Sequence, residues 1–366
     1  MSLNLPGNSQ KSLNWIDSRN SDSGRWADFM ANRSPGSPVH FGALRSLNFE
    51  QPPIFPLRAH PAKAARAKDG ASVVQMQQEG TFRYQLSQSS IASKPGADRE
   101  KQAQSRGSKL WELSSPSIIN PESTYYSASS NAIFASSVVG SEVQKDGQGW
   151  ISKISPQGKL LKGKWVKGLN APHGMREHDG TLWVADIDQL VAIDIQSAKV
   201  ISRTTIPGAR FLNDVAIAND GKVFVSDTLK NRVYQYDQGK VTTFAKGRSL
   251  DAPNGLLVVD NQLIVAGFGQ INDPELFTTT VPGHVFGIDL ASQRRNDGSR
   301  KKALITKTPL GNLDGIERKK NGNFIVSDYT LGKVFFVNAK TGSHQTLLSD
   351  LRAPADIGFI PQKISF

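Results

Sequence analysis

Six residues recur in register through residues 109–366 of the chain: Glu122, His173, Asn213, Asn254, Asp314 and Ala355. Each is the middle of a short motif: Pro121-Glu122-Ser123, Pro172-His173-Gly174, Leu212-Asn213-Asp214, Pro253-Asn254-Gly255, Leu313-Asp314-Gly315 and Pro354-Ala355-Asp356. Four of the six middle residues carry oxygen donors. A glutamate, an aspartate and two amide oxygens converging on one point suit a hard divalent cation, which takes carboxylate, carbonyl and water oxygens. Taken singly, Asn254-Gly255 and Asp314-Gly315 read as ordinary turn dipeptides and Glu122 as a surface charge. Register changes that reading, because these polar residues always precede an apolar run such as Val215-Ala216-Ile217, whereas turns elsewhere fall between first and second strands.

The spacing also names the scaffold. Successive middle residues are 51, 40, 41, 60 and 41 positions apart. A period of ~40–45 residues with strand patterning alone predicts a propeller whose repeats are four-stranded blades around a channel. Six copies predict an all-β, six-bladed propeller. A second strand recurs as Phe134-Ala135-Ser136, Val184-Ala185-Asp186, Val225-Ser226-Asp227, Val265-Ala266-Gly267 and Val326-Ser327-Asp328. Because blade strands run antiparallel, the loops from second to third strands overhang the motifs. Two of these are long, 138–148 and 269–283, the latter containing Pro274-Glu275-Leu276-Phe277, and both are candidate walls of a site. The basic run 293–302 falls between third and fourth strands, on the opposite face, and reads as a solvated loop. Asp186, Asp227 and Asp328 end their strands on the site face and are assigned to loop-anchoring hydrogen bonds.

The sixth repeat reads as incomplete, with an inner strand at 357–360 and the start of a second at 363–366. Residues 110–113 can supply its outermost strand. Residues 81–86 also alternate; the first reading is a fortuitous alternation in an extended arm, the second a strand that fills the gap. Residues 1–108 lack a sustained apolar period and hold 14 Lys and Arg against 8 Asp and Glu, half of the net charge of +12. Such a segment buries too little surface to offset ~1–2 kcal/mol of backbone entropy per residue, which predicts a largely disordered basic extension ahead of a 109–366 propeller. With no cysteine, disulfides and thiolate metal sites are excluded. No apolar run is long enough for a membrane span or a secretory signal, so the expectation is a soluble chain without a membrane partner, cytoplasmic by default. The one dense basic run lacks aromatics, which disfavours nucleic acid.

Glu122 in Pro-Glu-Ser, Asn213-Asp214, Pro253-Asn254-Gly255 and Asp314-Gly315-Ile316 together resemble the senescence marker protein/gluconolactonase (regucalcin-like) family over residues 109–366. The resemblance implies a six-bladed, metal-dependent lactone hydrolase. In it Glu122, Asn254 and Asp314 hold one divalent cation, calcium first and zinc, magnesium or manganese as alternatives. Asn213 contacts metal-bound water or substrate. Arg210 precedes that Asn as in members that bind sugar lactones, although Leu212 is inserted between them. Pro172-His173-Gly174 is similar to a segment of the paraoxonases in which a histidine is a proposed general base; the partner histidine expected at 186–188 is not there. The expected function is hydrolysis of a small lactone or ester, with the cation polarising the carbonyl, Asn213 stabilising the oxyanion and Asp314 or His173 taking the proton. The alternative is a non-catalytic, NHL-like binding module, since propellers host many functions.

Overall fold

The computed structural model describes residues 71–77, 81–87, 107–274 and 277–361, all within one compact unit, Glu50–Phe366. Residues 1–70, most of the predicted extension, lie outside the described residues, as do 362–366. The described chain is a β-propeller. Its first blade is built from Pro121–Ser127, Ala132–Ser137, Gly149–Ile154 and Leu160–Leu169, and its second from Pro172–His178, Thr181–Asp186, Gln189–Asp194 and Lys199–Thr205. Leu212–Ile217, Val223–Asp227, Arg232–Asp237 and Lys240–Lys246 form the third. Pro253–Val259, Gln262–Gly267, Val285–Asp289 and Lys302–Leu304 form the fourth, and Leu313–Arg318, Phe324–Asp328, Lys333–Val337 and His344–Leu348 the fifth. Within each blade the strands pair antiparallel in chain order, and the first strands of consecutive blades lie side by side.

Strand interiors are Val, Ile, Phe and Tyr because β-branched and aromatic side chains fit a pleated, half-buried surface. These faces pack blade on blade. Phe134 and Ile151 of the first blade meet Met175 and Val184 of the second, and Phe224 and Phe244 of the third meet Leu256 and Phe286 of the fourth.

A further four-stranded sheet has the order Ile357–Pro361, Ala71–Gln77, Thr81–Ser87, Gly107–Ser114. Ile357–Pro361 lies beside the inner strands of both the first and the fifth blades. The strand pairing with it is Ala71–Gln77, in the register Val73↔Phe359, and the second strand expected at 363–366 lies outside the described residues. Thr81–Ser87 is a strand, paired with Gly107–Ser114 in the register Phe82↔Leu113, and the boundary at 108 falls inside that last strand. An alternating segment with no partner of its own stays open, but an unpaired sheet edge supplies a ladder of backbone donors and acceptors that it completes. Trp111 and Leu113 then pack with Ile360 against Ile133 and Ile154 of the first blade.

Candidate metal centre at the channel mouth

Five of the six motifs found in the sequence are β-bulges. In the first blade Pro121 pairs with Ser137 and Thr124 with Ala135, so Glu122 and Ser123 together face the single residue Ser136. The same offset falls between Pro172 and Met175, Leu212 and Val215, Pro253 and Leu256, and Leu313 and Ile316. A bulge adds one residue to one strand and re-aims its side chain. Five bulges in a row thereby turn five middle residues off the sheet faces and toward the axis.

Two recurring contacts hold the bulges. In four of the five blades the residue ending the second strand grips the backbone just ahead of the motif: Asp186 accepts from the N–H of Asn170 and Ala171, Asp227 from Arg210 and Phe211, and the Ser137 hydroxyl from Ile119. Asp328 similarly accepts from the backbone of Asn312. The loop-anchoring role expected for these aspartates is the one they have. One residue earlier, Ser226 Oγ accepts from Asp214 N (2.9 Å) and donates to Asn254 O (2.7 Å), while Ser327 Oγ accepts from Gly315 N and donates to Ala355 O, both 2.8 Å. Each serine ties its own bulge to the next. Gly255 permits the close approach, for a Cβ there would lie 2.1 Å from the carbonyl oxygen of Asp314.

The four oxygen-bearing residues are buried and unsatisfied, and Asp314 lies near both Glu122 and Asn254. Asn213, Asn254 and Asp314 are at most 5% exposed, and Glu122 Oε2, Asn213 Oδ1, Asn254 Oδ1 and Asp314 Oδ1 are buried with no hydrogen-bond partner. A buried polar atom without a partner carries its full desolvation cost, and such atoms call for a water or an ion. Burial, then the charge of Asp314, then that of Asp356, pushes the Glu122 carboxyl well up. Burial, followed by the charge of Asp214, pushes Asp314 up to about 8, against the effect of a hydrogen bond from Asn254. Further along the inner strands Asp214, raised to about 6 by burial, and Asp356 add negative charge, set against the Arg176–Glu317 ion pair at 2.8 Å. Among the described residues no cluster of three or more His, Cys, Asp or Glu is placed to hold a metal. The mouth differs from such a cluster in donor type, with two carboxylates and two amides, an all-oxygen set that fits a hard cation.

His173 occupies its ring position, 1% exposed. Its Nδ1 is 2.8 Å from Ala171 O, and since a carbonyl only accepts, Nδ1 carries the proton and Nε2 the lone pair. Burial lowers its pKa to about 4, so the ring is neutral at pH 7. Arg210 is half-buried and close enough to Lys230 to disfavour that residue's charge.

Two features of the mouth escaped the sequence motifs. Loop 138–148 brings half-buried Glu142 near the ring, where its charge acts on both Glu122 and Asp314. From the fourth blade a hairpin, Gly269–Asp273 with Thr278–Pro282, reaches to the fifth, pinned by Asn312 Nδ2 to Phe268 O and Thr279 Oγ1, both 2.8 Å. Its turn residue Phe277 completes an aromatic row, with ring centroids at 4.9 Å for His173–Phe211, 5.3 Å for Phe211–Phe277, 5.9 Å for Phe277–Phe268 and 6.4 Å for Phe268–Tyr329. The row arcs across the second to fifth blades. Pro274-Glu275-Leu276-Phe277 was its only trace in the sequence.

No protein-family model matches the chain, and no curated protein matches it in sequence. Among solved structures, a chain of the nidogen/laminin complex matches with a TM-score of 0.58 at 12% identity, over 79% of this chain and 98% of that one. A streptogramin B lyase matches with a TM-score of 0.48 at 13% identity, over 81% and 89%, and the virginiamycin B lyase of Staphylococcus aureus with 0.46 at 12%, over 79% and 88%. At these identities the likeness is one of fold. No helix among the described residues is long and apolar enough to cross a membrane.

Proposed function

We propose that the chain is a metal-dependent hydrolase of a lactone or related ester, on a propeller whose further sheet is a sixth blade. The observation that carries this reading is the set of four partnerless buried oxygens, on Glu122, Asn213, Asn254 and Asp314, at the bulges of four blades. An interaction module gains nothing from that arrangement, whereas a divalent cation held by Glu122, Asn254 and Asp314, with ordered water or substrate at Asn213, satisfies all four. When bound, such a cation, calcium first, supplies Lewis-acid polarisation of a carbonyl and a lowered pKa for water.

The chain's own groups supply the rest. Asn213 carries amide donors at the mouth, suited to an oxyanion forming from the ester carbonyl. Asp314 and His173 are the two proton acceptors. Asp314 holds a proton near neutral pH in the cation-free chain, and His173 is unprotonated there with its lone pair on Nε2, an available acceptor whose basicity burial weakens. Phe211, Phe268, Phe277 and Tyr329 favour a substrate with an apolar or aryl substituent over a bare sugar lactone. Arg210, near enough to Lys230 to disfavour its charge, is the weakest of the substrate-binding candidates.

One observation favours the alternative, a non-catalytic NHL-like module: the likeness to a chain of the nidogen/laminin complex, itself a binding assembly. Elemental analysis of the purified chain, with hydrolysis of an aryl-substituted and a sugar lactone measured before and after chelation, separates the two readings. Hydrolysis lost on chelation and restored by calcium supports the enzyme; a chain without cation and without hydrolysis is a binding module.

A further inference from the structure

A second like-charged site lies away from the axis, on the outer rim between the third and fourth blades. Arg232 opens the third strand of the third blade and pairs directly with Lys246 on its outer strand. Two cations facing each other across a ladder are destabilising on their own. Against them folds the basic loop of the fourth blade, which is fastened rather than free. Gly298 O accepts from Lys246 N (3.1 Å), Arg294 Nη1 donates to Thr243 O (2.8 Å), and Arg300 Nε donates to Phe244 O (2.7 Å) with its guanidinium 4.1 Å from the Phe244 ring centroid. Gly298, at φ +84°, makes the contact possible, since a Cβ there would meet the Lys246 side chain at 2.2 Å. The loop expected to be solvated is therefore docked on its neighbour.

Docking shapes a half-open cavity of about 520 Å³ lined by Arg232, Lys246, Arg294 and Arg295 with Thr243 and Asn296. Four of these are cations and none is acidic. Two carboxylates stand nearby: Asp297, exposed at the loop's turn, accepting from Ser299 N at 2.8 Å and influenced by Arg295 and Lys246, and Asp227, cross-strand partner of Arg232, whose Nη1 donates to Tyr234 OH at 3.4 Å. Arg232 Nε is buried and has no hydrogen-bond partner. A buried guanidinium N–H with no acceptor, among three more cations held there by backbone contacts, is a donor set waiting for an anion. Guanidinium forks match the oxygens of a phosphate, and the hydroxyl of Thr243 and the amide of Asn296 suit a polar remainder. The cavity is of the size that takes a small molecule, well beyond a bare phosphate.

We infer that this rim cavity is a binding site for a small molecule carrying a phosphate monoester, independent of the chemistry at the mouth. The test is calorimetric titration of the full chain at constant ionic strength with glucose 6-phosphate, inorganic phosphate and glucose. The expected result is a Kd of about 1 mM or tighter for glucose 6-phosphate, weaker binding of inorganic phosphate and none of glucose. Arg232→Gln should weaken the monoester at least tenfold, and Arg232→Lys nearly as much, because lysine keeps the charge but loses the fork. Arg295→Gln guards against misfolding, since the residue's loop contacts are made by its backbone; it should weaken the monoester severalfold and leave lactone hydrolysis unchanged. No binding of glucose 6-phosphate, or equal binding by all three variants, overturns the site. Inorganic phosphate binding as tightly as the monoester overturns the assignment to a monoester.

Discussion

The channel mouth and the outer rim solve one electrostatic problem with opposite signs. At the mouth, carboxylates and amide oxygens converge; at the rim, guanidinium and ammonium groups do, and in both places a buried polar atom lacks a partner. They differ in what holds them. The mouth is fixed by consecutive bulges tied through Ser226 and Ser327, whereas the rim depends on one loop fastened to one strand. The comparison teaches that like charge accumulates where backbone bonds, not side-chain pairs, carry the geometry. A counter-ion at the mouth should therefore be bound in a rigid site, and one at the rim in a site that a single loop change can open.

The largest expected effects strike the mouth's charge. Asp314→Ala and Glu122→Ala should each strip the cation and abolish lactone hydrolysis, read by elemental analysis and turnover, while Asn254→Ala, losing only a dipole, should weaken cation binding less. Retention of cation by either carboxylate variant would move the site elsewhere. Next in size is Asn213→Ala, for which turnover should fall by roughly 10²–10³ with the cation retained, the scale of one oxyanion donor. If the cation leaves with it, Asn213 is a ligand and not a donor.

A pH series sharpens the comparison from the other side. Glu122 and Asp314 are raised in the cation-free chain, Asp314 to about 8, so cation binding must displace protons. Calcium affinity should climb with pH through the Asp314 value of about 8, by up to about tenfold per unit for each proton displaced, and level off once both carboxyls are ionised. The sign for folding is the reverse. A carboxyl raised in the folded chain contributes stability present below its unfolded pKa of about 4 and lost as pH rises through 8. Melting temperature without cation should fall over that window and recover with calcium; a flat cation-free profile would contradict the burial of these groups. The smallest effect belongs to the aromatic row: Phe277→Ala should lower kcat/KM for an aryl lactone by about tenfold, in line with the ~0.5–1.5 kcal/mol of an aromatic pair beyond its area, and leave a small alkyl lactone nearly unchanged. Equal losses on both would make Phe277 structural.

Much of this was legible in the chain. Glu122, Asn213, Asn254 and Asp314 stood out because a repeat places equivalent residues at equivalent positions. The anchoring aspartates were legible for the same reason. The bulges were not, since a two-against-one pairing is a property of two strands and leaves no period in either. Nor were Glu142 and the Phe211–Phe277–Phe268 contacts, which join loops of different blades. The strand Thr81–Ser87 reads as chance alternation because the sheet edge that its hairpin with Ala71–Gln77 completes, Ile357–Pro361, stands at the other end of the chain. The charge of the loop at 293–302 reads as solvated, while its attachment uses the backbone carbonyls of Thr243 and Phe244, which no sequence pattern reveals.

The most direct test of the central claim is the divalent-cation content of the purified full chain, wild type beside Asp314→Ala, after dialysis against calcium and removal of the free ion. One cation per wild-type chain and none in the variant is the predicted result. A wild-type chain that retains no divalent cation, or a variant that retains as much, would contradict it.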